Sequence, residues 1–179
     1  LHPKITIQYY QKATSAILEQ LSRGEIDLGF TGELPKGNEY DFLRREIVLT
    51  EELCLIVPPD HHLASRKSVS FHEILDETFI GWNEDTGIKR SINDTLQRAG
   101  ISQKLNYRFY ATEDNSIVGM VREGLGIALI STIPTIYTEG VVKIQISQPL
   151  FQRHLYMVWN KERFMSPAAN SLRKYILSQ

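Results

Sequence analysis

The chain has few of the features that define several protein classes. It has one cysteine, Cys54, among 179 residues, so no disulfide can form within the chain and an oxidising compartment is not required. Its 20 basic and 21 acidic residues nearly cancel, which leaves no excess of positive charge for binding nucleic acid. No apolar run approaches the about 20 residues of a membrane span, and the residues 1–4 do not resemble a signal peptide. We therefore expect a cytoplasmic protein that does not contact membranes.

Apolar strands alternate with amphipathic helices along the chain, and this order predicts an α/β fold. Hydrophobic residues make up 42% of the sequence, enough to bury a core. Strand patterns lie at 4–10, 25–30, 42–49, 53–57, 79–82, 105–109, 127–130, 142–146 and 155–159. Helical spacing occurs at 14–22, 88–99 and 117–121, and again after a Ser-Pro start at 166–167. A capping box at 70–73 predicts a short helix that ends near residue 76.

Three groups of residues suggest catalysis or metal binding, and each has a plainer interpretation. The two histidines of Asp60-His61-His62 would point to opposite faces if they were in a strand, and no further His or Cys lies at ligand spacing. A polar turn after a buried strand is the plainer interpretation of these residues. The carboxylate pairs Glu51-Glu52 and Glu84-Asp85 fit solvated turns. Gly124-Leu125-Gly126 lies between a helix and a strand, the reverse of the order in a dinucleotide-binding motif. We therefore expect no enzyme, no bound metal and no cofactor.

Small residues, mostly with hydroxyl groups, recur where helices begin and strands end, and they predict a binding site for a small anion. Helix N-termini offer free amides and a partial positive charge. Ligands of open α/β sheets bind at the carboxyl ends of the strands. Taken singly, each residue is more often a structural cap or turn. Taken together, the predicted ligand contacts are Thr14, Ser15, Thr31, Gly32, Thr86, Gly87, Thr112 and Ser131.

Four segments, in the expected order, resemble the effector-binding domain of LysR-type bacterial transcriptional regulators. They read LSRGEIDLGF at 21–30, LCLIVPPDHHLA at 53–64, VREGLGIALIS at 121–131 and LYMVWNKERFMSPAANSLRKYI at 155–176. His62 and Ser131 stand where that family usually has proline. The resemblance implies a fold like that of type 2 periplasmic binding proteins, in which two α/β lobes are joined by two crossovers and the ligand binds between them.

On this resemblance, lobe I comprises 1–77 plus 151–179, and lobe II comprises 78–150. Carried over by position, the ligand loops include Thr14, Ser15, Thr31 and the segment 83–87, which adds Asn83 and again includes Thr86 and Gly87. The family's N-terminal winged helix-turn-helix, and the first strand and helix of lobe I, have no counterpart in the sequence.

The resemblance also implies the partners and the mode of action. A small effector would change the geometry of a homodimer or tetramer that binds DNA through the helix-turn-helix domain, and the full-length protein would contact RNA polymerase. Two alternatives stay open: a solute-binding protein of a transporter, and an enzyme on the same fold. A helix-turn-helix upstream would favour the regulator, whereas a signal peptide upstream would favour the transporter component.

Overall fold

Helices and strands alternate through most of residues 5–132 and 138–178, which are the residues that the computed structural model describes. The helices are α1 (Thr14–Arg23), α2 (Gly87–Arg98), α3 (Asp114–Arg122) and α4 (Pro167–Leu177). The strands are β1 (Gly29–Thr31), β2 (Leu43–Val57), β3 (Ser68–Val69), β4 (Thr78–Trp82), β5 (Asn106–Ala111), β6 (Ala128–Ser131), β7 (Val142–Ile146) and β8 (Gln152–Asn160). None of the helices in these residues is long and apolar enough to cross a membrane.

The chain divides into two compact units. Unit 1 consists of Leu1–Leu49 and His154–Gln179, and unit 2 consists of Thr50–Arg153. The chain therefore passes from one unit to the other within β2 and again within β8. The sequence instead predicts lobe boundaries near residues 77 and 150, which lie outside these two strands.

The sequence predicts residues 53–57 as part of lobe I, whereas in the structure this segment pairs with strands of unit 2. Leu53 lies opposite Ser131 of β6, and Leu55 lies opposite Ile144 of β7 in an antiparallel ladder. The sequence predicts separate strands at 42–49 and 53–57, whereas β2 runs through both as one strand. Hydrophobic spacing is local, so it does not reveal where one long strand leaves the first unit and enters the second.

Unit 2 is built on parallel and antiparallel strands around its own core. β4 pairs in parallel with β5, and a parallel bridge between Phe79 and Ile127 connects β4 to the start of β6. The indole Nε1 of Trp82 donates a hydrogen bond to the Leu129 carbonyl at 2.8 Å, which adds a second link between β4 and β6. β3 pairs in parallel with β7. The buried apolar cluster extends from Leu53 to Phe151 along the chain.

Unit 1 has a smaller core between α1 and the ladder of β1 with β8. β1 and β8 are antiparallel, with Gly29 opposite Val158. Ile17 and Leu21 of α1 pack against Gly29, where an added Cβ would lie 2.5 Å from the Ile17 side chain. Gly24 ends α1 in the left-handed conformation, with φ of 73°. The small side chain at Gly29 therefore lets α1 lie close over β1.

The segment 5–10 and the segment after the capping box also differ from the sequence prediction. Residues 5–10 form no strand, and Ile7 and Tyr9 are 67% and 81% exposed, because no strand in the described residues pairs with this segment. An extended segment counts as a strand only when its backbone groups have a partner. The helix expected after the capping box is a short 3-10 helix, Phe71–Ile74. The carboxylate of Glu73 accepts a hydrogen bond from the Ser70 backbone N–H at 2.7 Å, as the capping box predicts.

Candidate functional site

The carboxyl ends of β4 and β5 bring two predicted ligand residues into direct contact. Asn83 follows β4 and Thr112 lies just beyond β5, and the Asn83 side-chain amide donates a hydrogen bond to the Thr112 hydroxyl at 2.8 Å. The Asn83 backbone N–H donates to the Ala111 carbonyl at 3.0 Å. Since the strands are parallel, both residues lie at the edge where α/β sheets bind ligands. The exposed Thr112 and half-buried Asn83 are accessible to solvent.

The N-terminus of α2 lies at this same edge, because it follows β4 after a short turn. Thr86 is the N-cap of α2: its hydroxyl accepts from the Lys89 N–H at 3.3 Å and donates to the Asn83 carbonyl at 2.7 Å. The amides of Gly87 and Ile88 have no intrahelical acceptor at this position in a helix. Thr86 therefore serves as a structural cap, while the free amides beside it could bind an anion.

Ser131 ends β6 and so lies at the same edge as Asn83 and Thr112. Its side chain is fully buried, and its hydroxyl has no hydrogen-bond partner among the described residues. A buried hydroxyl without a partner is destabilising, and such groups usually mark a bound water, a ligand or a functional role.

Lys89 is a charged residue of this region that the sequence analysis did not single out. It is 5% exposed, and its Nζ lies 3.4 Å from the Glu84 carboxylate and 4.1 Å from the centroid of the Tyr107 ring. Burial, reinforced by the charges of Tyr110 and Glu84, raises the pKa of Tyr107 to about 12. Lys89 places a positive charge in the first turn of α2. No sequence pattern marks Lys89 as buried, because a lysine in an amphipathic helix normally faces solvent.

In unit 1, Thr14 and Ser15 are the first two residues of α1. The N-cap is Ala13, which has no side chain that could accept from the helix amides. Thr14 is half-buried and Ser15 is exposed. The first turn of α1 therefore has free amides without a side-chain cap, which is the arrangement that a bound anion would complete.

Thr31 ends β1, and Gly32 follows it. The Thr31 side chain is 4% exposed, and its hydroxyl has no hydrogen-bond partner in the part of the chain that the structure describes. β1 packs against α1, with the Ile17 and Leu21 side chains beside Gly29. Thr14, Ser15, Thr31 and Gly32 all belong to unit 1.

The predicted ligand residues divide into two groups according to the unit in which they lie. Thr14, Ser15, Thr31 and Gly32 form the group in unit 1, and Asn83, Thr86, Gly87, Thr112 and Ser131 form the group in unit 2. That the two groups bind one ligand stays a prediction.

The histidines that the sequence analysis set aside lie at the other edge of the unit 2 sheet. His61 and His62 follow β2 in a turn, and both rings approach the carboxylate of Glu77, which immediately precedes β4. A cavity of about 260 Å³ lies at the amino ends of β4 and β6, and its lining includes His61, Glu77, Thr78, Arg108 and Ile127. The polar turn that the sequence predicts after the buried strand is present, and in this turn both rings lie on the side of Glu77.

Comparison with protein families identifies the chain. The family model described as the LysR substrate binding domain matches residues 1–179. The chain belongs to this family.

LysR relatives among curated proteins are transcriptional regulators. The chain is 30% identical over 177 residues to the uncharacterized HTH-type transcriptional regulator YybE of Bacillus subtilis (strain 168), covering 99% of the chain and 59% of that protein. It is 24% identical over 178 residues to the transcriptional dual regulator GltC of the same organism, covering 98% of the chain and 58% of GltC. The chain thus spans somewhat less than two thirds of the length of these regulators.

Solved LysR domains share the fold. The effector binding domain of QuiR in complex with shikimate has a TM-score of 0.86 at 23% identity, covering 96% of the chain and 79% of that domain. The BenM effector binding domain with its effector benzoate has a TM-score of 0.81 at 21% identity, covering 99% of the chain and 79% of that domain. The predicted α/β fold, of the type 2 periplasmic-binding-protein kind, is confirmed.

Proposed function

We propose that the chain is the ligand-sensing domain of a LysR-type transcriptional regulator and that it binds a small anionic metabolite through both groups of predicted ligand residues. The observation that carries the proposal is the polar cluster of unit 2. Asn83, Thr112 and Ser131 lie at the carboxyl ends of three strands beside the N-terminus of α2. Free helix amides and small polar side chains suit a carboxylate better than an apolar ligand.

Two buried hydroxyls support polar ligand contacts in each group of predicted ligand residues. Thr31 in unit 1 and Ser131 in unit 2 each end a strand, and each lacks a hydrogen-bond partner among the described residues. The relatives support the choice of ligand class, since shikimate and benzoate, found with QuiR and BenM, are both carboxylates.

The regulatory relatives favour a sensor over the two alternatives, an enzyme and a solute-binding protein of a transporter. In this proposal the effector is bound and released unchanged in the cytoplasm. DNA is bound through a helix-turn-helix domain outside this chain, in a homodimer or tetramer whose geometry the effector alters. Turnover of a candidate effector by the purified chain would contradict the proposal.

A thermal-shift screen against organic acids, with shikimate and benzoate among the probes, tests the ligand class. A ligand at 100 times its dissociation constant adds about 2.7 kcal/mol to the free energy of unfolding, which is readily detected. Neutral analogues such as the corresponding amides should give smaller shifts. If no acid stabilises the chain, or if acids and amides act equally, the anion site is not as proposed.

Substitutions then separate ligand contacts from structural caps. Thr86→Ala removes a helix cap, so we expect a loss of about 1 kcal/mol in stability besides weaker ligand binding. Ser131→Ala and Thr31→Val remove hydroxyls without partners, so they should weaken ligand binding and leave the stability of the ligand-free chain unchanged or higher. Ser102→Ala, at an exposed loop position, is the matched control for both measurements. Unchanged affinity in all three variants would refute the assignment of the site.

A further inference from the structure

We propose that His61, His62 and Glu77 bind a divalent transition-metal ion, with Zn²⁺ the best match, at a site distinct from the effector site. The three side chains form the one group of at least three His, Cys, Asp or Glu residues with metal-ligand spacing among residues 5–132 and 138–178. They belong to unit 2, at the amino ends of β4 and β6. The proposed effector residues of this unit follow the opposite, carboxyl ends of β4, β5 and β6.

The donor atoms are already close to the separations that a zinc ion needs. The Nε2 of His61 lies 3.5 Å from one oxygen of the Glu77 carboxylate, and the Nε2 of His62 lies 3.4 Å from the other. One donor atom from each of the three residues falls within 4.8 Å of the other two. Tetrahedral Zn²⁺ with ligands at about 2.0–2.2 Å holds its donor atoms roughly 3.4 Å apart. A shift of the more exposed ring would complete this geometry.

The local fold explains why two adjacent histidines face one carboxylate. The chain leaves β2 at Val57 and turns, with the His61 N–H donating to the Pro58 carbonyl at 3.1 Å and the Ala64 N–H donating to the His61 carbonyl at 2.8 Å. In this turn the rings of His61 and His62 lie with centroids 4.4 Å apart and an interplanar angle of 32°. An extended strand would separate them, whereas the turn places both on the side of Glu77.

Burial differs among the three ligands in a way that suits a preorganised site with an open entrance. The side chains of His61 and Glu77 are 15% and 25% exposed, whereas that of His62 is 65% exposed. His61 and Glu77 line the adjoining cavity of about 260 Å³, which has room for water or a small anion as a fourth ligand. Arg108 also lines this cavity, and its charge favours an anion there.

The donor set selects the metal. Two imidazoles and one carboxylate suit Zn²⁺ and its neighbours among the transition metals, whereas Mg²⁺ and Ca²⁺ require oxygen ligands almost throughout. The Nδ1 of His61 now accepts a hydrogen bond from the Leu63 N–H at 3.3 Å. When Nε2 binds a metal, the remaining ring proton moves to Nδ1, so this long hydrogen bond must break. The Leu63 amide therefore reports on metal binding at His61.

Titration of the tag-free chain with ZnCl₂ by calorimetry tests the proposal. We expect one Zn²⁺ per chain, no comparable binding of Mg²⁺, and a chemical-shift change at the Leu63 amide. His62→Ala and Glu77→Gln should each weaken Zn²⁺ binding by at least about tenfold, since even groups behind metal ligands contribute that much. His62 is exposed, so its substitution leaves the fold intact. Circular dichroism without metal checks both variants.

His72→Ala is the matched control, because His72 is exposed on the neighbouring 3-10 helix and lies outside the cluster. It should bind Zn²⁺ as the unsubstituted chain does. The proposal is overturned if Zn²⁺ does not bind, if binding survives in both His62→Ala and Glu77→Gln, or if His72→Ala weakens it equally.

Discussion

Replacing Glu51 by glutamine should show how much the stability of unit 2 depends on one buried ion pair. Glu51 lies on β2 and its side chain is 5% exposed, and its carboxylate accepts a hydrogen bond from the Nε of Arg153 on β8. Both residues lie at the limits of unit 2, beside the points where the chain crosses from unit 1. Glutamine keeps the shape of the side chain and removes the charge, so it leaves the Arg153 guanidinium without its main counter-charge.

The structure sets the size of the expected effect. Removing one partner of a fully buried pair costs about 3–5 kcal/mol, because the other charge stays buried and uncompensated. Two features reduce the cost here. The Arg153 side chain is 17% exposed, so water partly solvates its charge. The Asp114 carboxyl interacts electrostatically with both Arg153 and Glu51, so it can supply part of the lost negative charge. We therefore expect Glu51→Gln to lower the free energy of unfolding of unit 2 by roughly 2–3 kcal/mol.

Asp114 provides an independent check on the same substitution. Burial raises the pKa of Asp114, the charge of Arg153 lowers it, and the charge of Glu51 raises it. In Glu51→Gln the repulsion disappears while the attraction remains, so the pKa of Asp114 should fall. Carboxyl titration followed by NMR measures this change, and an unchanged or higher pKa would show that the three charges do not interact as the geometry indicates.

The two tryptophans allow the unfolding of each unit to be followed separately. Trp82 lies in unit 2 and Trp159 lies in unit 1. In a Trp159→Phe background, urea unfolding followed by fluorescence reports on unit 2 through Trp82 alone. Glu52→Gln is the matched control: Glu52 is the exposed neighbour of Glu51, and its substitution should stay within about 0.5 kcal/mol.

A double-mutant cycle decides whether the pair itself is responsible. If Glu51 and Arg153 act together, Glu51→Gln with Arg153→Gln should cost less than the sum of the two single changes. Additive costs would refute the reasoning, as would a Glu51→Gln effect no larger than that of Glu52→Gln.

Three further predictions concern residues of unit 2. Burial raises the pKa of the Cys54 thiol, so Ellman's reagent should not label the native chain at neutral pH but should label it fully in urea. Fast labelling of the native chain would show that Cys54 is not buried. In Gly126→Ala the new Cβ would lie 2.6 Å from the Thr78 carbonyl oxygen at a φ of 156°, so the free energy of unfolding should fall by about 2 kcal/mol or more. Gly124→Ala, where no atom lies within 4 Å of the new Cβ, should lower it by only roughly 1 kcal/mol. Equal melting temperatures of the two variants would refute this prediction. Burial raises the pKa of Tyr107 from 10.0 to about 12, so its contribution to stability is complete below pH 10 and lost as the pH rises through 12; Tyr107→Phe should remove that pH dependence of unfolding.

The order of elements was predictable because the signals for it are local. The spacing of Ile88 and Ile92 predicts α2, and the alternation at 105–109 predicts most of β5. The residues at strand ends and helix starts follow from the same signals. Asn83 and Thr112 could therefore be assigned to one edge of the sheet before any coordinates, since they follow neighbouring parallel strands.

The errors concern pairing between distant segments. Residues 53–57 read as a buried strand, but only the ladder with β6 and β7 shows that they belong to unit 2. Residues 5–10 alternate like a strand, yet a strand also needs a neighbour to accept its hydrogen bonds. No short sequence spacing marks Glu77 as a ligand partner of His61 and His62. The turn after β2 and the start of β4 bring the three side chains together, and a contact between such distant segments cannot be predicted from local sequence patterns.

The ligand assignment depends on a distinction that the sequence cannot make. A threonine before a helix and a threonine after a strand look alike in a sequence, and each can be a cap or a contact. In the structure, the hydroxyl of Thr86 makes two hydrogen bonds, one to the Asn83 carbonyl and one from the Lys89 N–H. The hydroxyls of Thr31 and Ser131 are buried at strand ends with no partner in the described residues. A protein tolerates such a group where the hydroxyl serves another purpose, because valine or alanine would pack there at lower cost. Thr31 and Ser131 are therefore stronger candidates for effector contacts than Thr86, whose hydroxyl already caps α2.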